Sequence, residues 1–181
     1  SLFSGTVRAA VVLQYHHVSD ATPRLTSISP ELFAEHLDYI AAQGFSVWPL
    51  PKLVASLKAN ESLPDKVISI TFDDAYDSIY DVAYPLLKHR GWPFTVFVAT
   101  EPVQAKIPGF MSWQQLKTMA AHGATIANHT HSHAHLVRRL PQESEAQWLK
   151  RVEQEILTAQ QLLAKNLGQT PKLLAYPYGE Y

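Results

Sequence analysis

Lys66-Val67-Ile68-Ser69-Ile70-Thr71-Phe72 is an apolar stretch rich in β-branched residues, and two adjacent carboxylates, Asp73 and Asp74, follow it directly. Such a run is typical of a buried β-strand. Because neighbouring strand residues point in opposite directions, both carboxylates can face one pocket only if the strand ends between them. Two anions beside a core are costly unless a cation or hydrogen bonds compensate. Taken alone, the pair has an equally good structural interpretation, in which Asp74 is the N-cap of the helix that follows.

Short apolar runs alternate with helical patterns along the chain. One helix is predicted with Ser29 as its N-cap, Pro30 at its first position and Gly44 at its end. A capping box that begins at Ser112 opens another helix. About six such alternations predict a parallel sheet covered by helices, either doubly wound or closed into a barrel. The predicted strands are residues 10–15, 45–47, 66–72, 94–98, 124–127 and 172–176; the predicted helices are 30–43, 50–58, 76–90 with a kink at Pro85, 113–122, and 147–167 with Leu149, Val152, Ile156 and Leu163 facing inward.

Four histidines alternate in the segment Asn128-His129-Thr130-His131-Ser132-His133-Ala134-His135, which follows another predicted strand. Neutral imidazole is a common ligand for zinc, and many metal sites combine two histidines with one carboxylate and leave positions open for water. The alternative is a solvated loop that binds metal only adventitiously. The aspartate pair at the end of a different strand favours the metal site.

Polar groups follow the carboxyl ends of several predicted strands. Doubly wound sheets and barrels both place their active sites at that edge. The groups are Tyr15-His16-His17, Asp73-Asp74, His129 to His135 and Tyr178-Gly179.

The composition excludes several classes of protein. A chain of 181 residues fits one domain, and its formal net charge of -1 does not predict a nucleic-acid partner or an anionic membrane surface. The absence of cysteine excludes disulfides, thiolate zinc sites and a cysteine nucleophile. No apolar run approaches the roughly 20 residues of a transmembrane helix, and residues 1–9 are expected to be the remnant of an export signal. Motifs of serine hydrolases, nucleotide-binding loops and zincins are missing.

Three motifs occur in the order found in one enzyme family. Thr71-Phe72-Asp73-Asp74-Ala75 is similar to T-F-D-D-G, His129-Thr130-His131-Ser132-His133 matches H-[ST]-x-x-H, and Tyr176-Pro177-Tyr178-Gly179 is close to R-x-P-Y-G. From about Val11 to its end, the sequence resembles the polysaccharide deacetylases, also called carbohydrate esterase family four. The resemblance implies an α/β fold, a distorted (β/α) barrel with parallel strands. We expect residues 1–181 to form a single catalytic domain that is incomplete at the C-terminus of this chain.

The resemblance also implies roles for individual residues. Asp74, His129 and His133 would bind a divalent metal, for which zinc is the first expectation and cobalt, nickel and iron are alternatives. Asp73 would be the general base. The backbone N–H of Tyr178 would help to hold the developing oxyanion.

Two features set this sequence apart from the general family pattern. Ala175 stands where the family usually has arginine, so a different residue must orient Asp73. The Tyr15-His16-His17-Val18 element resembles the branch that deacetylates poly-β-1,6-N-acetylglucosamine, and this resemblance implies a catalytic or positioning role for His16. A core histidine bonded to backbone is an equally good interpretation of His16, and His17 is expected to be structural.

Several nearby residues have two interpretations. Phe110 and Trp113 could line a sugar-binding rim, although a core position is favoured for Trp113. His131 and His135 either support the metal ligands from outside or face solvent. Tyr76 and Tyr80 are expected to be packing residues.

The resulting hypothesis is a metal-dependent hydrolase that removes N-acetyl groups from a polysaccharide of the N-acetylglucosamine type. The resemblance implies a bacterial periplasmic, envelope or secreted location, and no pattern predicts an oligomeric state. A small-molecule amidohydrolase and a catalytically weak metal- and carbohydrate-binding module remain alternatives. An open pocket would favour a polymer, and an enclosed pocket would favour a small molecule.

Overall fold

A parallel β-sheet around the strand that precedes the two aspartates forms the centre of the protein. The computed structural model describes residues 10–168 and 172–181, so the predicted signal remnant at residues 1–9 lies outside it. The strands are β1 (Ala10–Tyr15), β2 (His17–Val18), β3 (Ser27–Ile28), β4 (Ser46–Val47), β5 (Val67–Asp73), β6 (Phe94–Val98) and β7 (Ala124–Asn128); the α-helices are α1 (Pro30–Ala42), α2 (Leu50–Lys58), α3 (Tyr84–Arg90), α4 (Thr100–Gln104), α5 (Trp113–Ala121) and α6 (Glu145–Leu167).

The main sheet has the strand order β1-β5-β6-β7, with β4 paired to the start of β5 and with every pair parallel. Tyr15 lies opposite Phe72, Asp73 opposite Phe97, and Val98 opposite Asn128. The carboxyl ends of β1, β5 and β7 therefore meet at one edge. The predicted parallel α/β architecture is confirmed.

The prediction of a last strand over residues 172–176 is wrong in length. Leu174 makes only an isolated bridge to Asn128, supported by the hydrogen bonds from Asn128 N to Leu173 O (3.1 Å) and from Ala175 N to Asn128 O (3.0 Å). Pro177 has no N–H and begins the 3-10 turn Pro177–Gly179, so the ladder does not continue.

The helix boundaries follow local capping. Ser29 Oγ accepts a hydrogen bond from Leu32 N (3.1 Å) at the start of α1, as predicted. Both Ser112 and Ser144 close complete capping boxes, and the second one moves the start of α6 to Glu145. The inward position predicted for Leu149 is wrong, because its side chain is 53% exposed; the indole of Trp148 instead donates to Leu136 O (2.6 Å).

The helix predicted over residues 76–90 is split. A π-helical turn, Ile79–Ala83, leads into α3, and Pro85 accounts for it because proline cannot donate the regular helical hydrogen bond. Tyr76 lies outside the helix and bridges Phe110. Helix α4 was not predicted, since Pro102 interrupts its short pattern. Within the described ranges, no helix combines the length and apolarity needed to cross a bilayer.

Tyr15 links the core to the end of β1 and provides a test of the fold. Its ring packs edge-on against Phe33 (5.1 Å between centroids), its hydroxyl lies 3.0 Å from His36 Nδ1, and burial raises the pKa of Tyr15 to about 12. The folded protein thus holds this proton more tightly than the unfolded chain, in which tyrosine titrates near about 10. We expect the free energy of unfolding to fall as the pH rises from about 10 to about 12, and to fall less steeply in Tyr15→Phe.

Urea denaturation at several alkaline pH values measures this slope. Tyr39→Phe, which removes the hydroxyl of an exposed tyrosine, is the matched control and should keep the wild-type slope. Equal slopes for Tyr15→Phe and the wild type would contradict the assignment.

Candidate metal and catalytic site

A cavity of about 530 Å³ lies at the edge of the sheet where the strands end. It is open to solvent on one side, and tyrosine side chains form part of its wall. The residues that the sequence assigned to metal binding and catalysis all line this cavity: Asp73, Asp74, His129, His133, His16 and Tyr178.

The two aspartates converge because β5 ends between them. Asp73 is the last strand residue, and Asp74 and Ala75 follow with left-handed φ angles of 74° and 68°. Left-handed backbone costs a residue with a side chain roughly 1–2 kcal/mol, and such strain concentrates at functional sites. Ala75 occupies the position of the glycine in T-F-D-D-G, and its carbonyl accepts a hydrogen bond from Met111 N (2.9 Å) that holds the turn.

Asp74, His129 and His133 offer three ligand atoms around one point. Asp74 Oδ1 lies 3.4 Å from His129 Nε2 and 3.2 Å from His133 Nε2, and the three atoms lie within 4.8 Å of one another. Asp74 Oδ1 is buried and has no hydrogen-bond partner with good geometry in the described part of the chain. An unsatisfied carboxylate oxygen beside two imidazoles fits a divalent cation.

The tautomer of His129 is set by the backbone. Its Nδ1 lies 2.9 Å from Ala175 O, and because a carbonyl only accepts, Nδ1 carries the hydrogen. Nε2 is then left with its lone pair toward Asp74. Metal-binding histidines are commonly oriented in this way.

Asp73 is held by a residue that the sequence did not single out. Gln14 Nε2 donates a hydrogen bond to Asp73 Oδ2, which also lies 3.9 Å from His16 Nε2 and 3.9 Å from His129 Nε2. Gln14 thus supplies the contact to Asp73 that Ala175 cannot make. Gln14 could have been found from the sequence, because it is a polar residue in the otherwise apolar run of β1.

Tyr178 covers the cavity from a strained turn. Its φ is 58°, its ring stacks on His135 (3.8 Å between centroids, 11° between planes) and meets His133 edge-on (4.6 Å). His135 Nδ1 lies 2.9 Å from Glu180 Oε2, and Arg138 binds the other oxygen at 2.5 Å. His135 therefore supports Tyr178.

Glu155 on α6 holds the loop between His129 and His133. Its carboxylate accepts from His131 N (3.1 Å), Ser132 N (2.8 Å) and Ser132 Oγ (2.8 Å). The ring of His131 points to Thr100 Oγ1 (2.9 Å). No local sequence pattern predicted the role of Glu155, because its hydrogen-bond partners lie more than 20 residues away in the chain.

The sequence profile described as polysaccharide deacetylase matches residues 60–181. The chain belongs to the polysaccharide deacetylase family. The aspartate pair and the histidine loop both lie within the matched part.

Three members of the family illustrate how similar the chain is to named proteins. IcaB from Ammonifex degensii is 31% identical, with a TM-score of 0.80 over 93% of this chain and 74% of that chain. The deacetylase PplD from Streptococcus pyogenes, solved in complex with acetate, is 27% identical, with a TM-score of 0.82 over 94% of this chain and 74% of that chain. The poly-beta-1,6-N-acetyl-D-glucosamine N-deacetylase of Staphylococcus aureus is 28% identical over 84% of this chain, which spans 54% of the length of that protein.

The structural relatives are (β/α) barrels, so the predicted fold class is confirmed. Among the described strands, β1 and β4 to β7 form one parallel sheet, and β2 and β3 pair in a separate two-stranded sheet. That residues 1–181 form one domain, incomplete at its C-terminus, stays a prediction.

The two adjacent carboxylates have opposite pKa shifts. Burial raises the pKa of Asp73 above its usual range, and the nearby imidazoles only partly offset this. Burial also acts on Asp74, but the close contact with His129 and the charge of His133 outweigh it and lower the pKa of Asp74. Burial, followed by the charge of Asp74, raises the pKa of Tyr76 to about 12, so this phenol stays protonated. Such separation of neighbouring groups is typical of acid–base sites.

The predicted rim residues Phe110 and Trp113 do not line the cavity that holds the two aspartates. Phe110 packs against Tyr76 (4.9 Å between centroids), and Trp113 Nε1 donates to Gln104 Oε1 (3.0 Å). Tyr76, expected to be a packing residue, does pack against the core and also lines the cavity. His17 stacks on its ring at 3.5 Å, which agrees with the structural role expected for His17.

Proposed function

We propose that the chain carries the catalytic site of a metal-dependent hydrolase that removes N-acetyl groups from a polysaccharide of the N-acetylglucosamine type. The observation that carries this proposal is the cluster of Asp74, His129 and His133 within 4.8 Å, beside a second buried carboxylate. The Staphylococcus aureus relative is named for this reaction, and PplD was solved with acetate, the expected product.

The ligand atoms favour zinc. One carboxylate and two imidazoles form a typical three-residue catalytic zinc set, while cobalt, nickel and iron are the other candidates for such donors. A divalent ion held there would polarise the acetamido carbonyl and lower the pKa of water. All other steps are assigned to side chains and backbone of this protein.

Asp73 acts as the general base in the proposed reaction. It lies beside the metal ligands without belonging to the cluster, and its Oδ2 faces the cavity between His16 and His129. Asp73 takes a proton from the water that attacks the acetamido carbon, and His16 gives a proton to the leaving nitrogen. The C–N bond then breaks to release acetate and the free amine.

The backbone N–H of Tyr178 donates to the developing oxyanion in this scheme. One such donor contributes about 3 kcal/mol to stabilisation of the transition state. The stacking of Tyr178 on His135, and the binding of His135 by Glu180, hold the turn that carries this N–H.

The open cavity favours a polymer over a small substrate. The exposed rings of Tyr176 and Tyr178 line its mouth, so the cavity does not enclose a small molecule on all sides. A polymer substrate outside the cell agrees with the proposed periplasmic, envelope or secreted location. The contact of Gln14 with Asp73 favours an enzyme over a catalytically weak binding module, because it replaces the orienting arginine.

Acetate release from N-acetylglucosamine oligomers tests the proposal. We expect zinc-loaded protein to release acetate from β-1,6-linked oligomers, and chelated protein to release none until metal is restored. Faster hydrolysis of small N-acetylated amino acids than of oligomers would support the amidohydrolase alternative. Binding of oligomers without acetate release under any of the four metals would support the binding module.

Gln14→Leu is expected to lower kcat by about 10- to 100-fold, since a general base displaced by a fraction of an ångström loses much of its rate advantage. The KM and the metal content should stay close to the wild-type values, because Gln14 contacts Asp73 and not the metal cluster. Gln14→Arg, which restores a donor, should recover part of kcat.

The matched control is Gln114→Leu on the exposed surface of α5. It should leave kcat unchanged. A parallel loss of metal and activity in Gln14→Leu would show that Gln14 acts on the fold of the site and not on Asp73.

A further inference from the structure

A second cavity of about 510 Å³ lies between the loop after β2 and the start of α1. Its volume falls in the range of roughly 300–1,000 Å³ that is usual for ligand sites. Hydroxyl groups and two opposite charges dominate its lining. The polar lining residues are Ser19, Asp20, Thr22, Arg24, Ser27 and Ser29.

This cavity, which we call the loop cavity, lies near the catalytic cavity. A smaller pocket of about 170 Å³ lies between them. That pocket shares Gln14, His16 and Thr26 with the catalytic cavity, and Ser27 and Ile28 with the loop cavity. The three cavities therefore lie next to one another along the segment that follows β2, which places the loop cavity on the side of the catalytic cavity where Thr26 lies.

The hydroxyls of the loop cavity keep both donor and acceptor capacity. Ser27 Oγ donates to Pro23 O (2.8 Å), so in the 2.6 Å contact with Ser27 the donor is Thr22, which keeps its acceptor lone pairs. Ser19 Oγ accepts from Ala21 N (3.0 Å) and keeps its hydrogen to donate. Sugar hydroxyls need both kinds of partner.

Asp20 and Arg24 are available to a ligand. Both are exposed, and neither belongs to an ion pair among residues 10–168 and 172–181. A guanidinium can donate to an acetamido carbonyl, and a carboxylate can accept from a hydroxyl or from the ammonium of a deacetylated sugar. One cation and one anion in the same lining do not select for a polyanion.

We propose that the loop cavity is a sugar subsite that binds a neighbouring N-acetylglucosamine or glucosamine unit of the polymer whose acetamido group reacts in the catalytic cavity. This inference rests on the proposed function. It adds that catalytic efficiency increases with chain length and that Asp20 and Arg24 account for part of the increase.

Chain-length dependence of kcat/KM is the first test. We expect a hexamer of β-1,6-linked N-acetylglucosamine to be a better substrate than a dimer. In the double variant Asp20→Ala/Arg24→Ala, the ratio of kcat/KM for the hexamer to that for the dimer should fall about tenfold, as expected for the loss of hydrogen bonds to charged groups. Asp65→Ala, which removes an exposed aspartate elsewhere, should keep the wild-type ratio.

Two results would overturn the subsite. One is a wild-type ratio near unity, and the other is an unchanged ratio in the double variant. Thermal unfolding of the double variant would verify that it is folded.

Binding separates this inference from the proposed activity. Calorimetric titration of Asp73→Asn with the hexamer should show binding that the added changes Asp20→Ala/Arg24→Ala weaken about tenfold. If the wild type released no acetate but this difference in binding remained, the subsite would stand and the hydrolase proposal would fail. Equal binding with and without the two changes would overturn the subsite.

Discussion

Asp73→Asn is expected to lower kcat for acetate release by about 10²- to 10⁴-fold, the usual contribution of a general base. Asparagine has the shape of aspartate and can still accept the hydrogen bond from Gln14, but it cannot take a proton from water at neutral pH. Because Asp73 is not part of the cluster of Asp74, His129 and His133, the metal content should stay at the wild-type value. Acetate release and metal analysis of the same preparation measure both.

The control for this change is Asp81→Asn, on an exposed aspartate of the π-helical turn. It should release acetate at the wild-type rate. Equal release by Asp73→Asn and the wild type would contradict the assignment of Asp73 as the base.

His133→Ala is expected to abolish metal binding and acetate release together. In the wild type, zinc at about 1,000 times its dissociation constant should raise the free energy of unfolding by about 4 kcal/mol, and His133→Ala should lose this increase. His133 is a better position for the test than His129, because its side chain is 26% exposed whereas that of His129 is 1% exposed. Thermal unfolding with and without zinc gives the shift.

His131→Ala is the control that separates a specific site from a histidine-rich loop. The ring of His131 points to Thr100 and away from the metal cluster. Removal of His131 should leave the zinc-dependent stabilisation in place. Similar losses in His131→Ala and His133→Ala would indicate adventitious binding.

The effect of zinc should become smaller in acid. Burial lowers the pKa of His129, but the contact with Asp74 and the charge of Asp73 raise it by more than burial lowers it. The pKa of His129 therefore lies above the ordinary value for histidine. Protons therefore compete with the metal for Nε2, and zinc binding should release protons. The zinc-induced shift in unfolding temperature should shrink as the pH falls below neutrality.

Local sequence was sufficient for most elements of the fold. Strand β1 and helix α2 have the predicted bounds, and the capping box at Ser112 opens a helix as predicted. The misses have local causes too. Helix α4 was not predicted because Pro102 interrupts its sequence pattern. The predicted last strand is reduced to a single bridge because Pro177 follows it.

The sequence by itself determined the residue types and the strand ends. Hydrophobic periodicity, capping and the position of polar groups after apolar runs act over a few residues, so they placed Asp73, Asp74 and the histidine loop at one edge of a parallel sheet. The motif resemblance assigned them to a metal site, and the structure brings them within a few ångströms.

Only the tertiary structure decided which distant residues complete the site. Gln14 reaches Asp73 across 59 positions of sequence, and Glu155 holds the histidine loop from a helix 23 or 24 positions away. Such contacts depend on the register of β1 against β5 and on how α6 packs beside β7. No short-range pattern encodes them, because each results from the packing of the whole sheet.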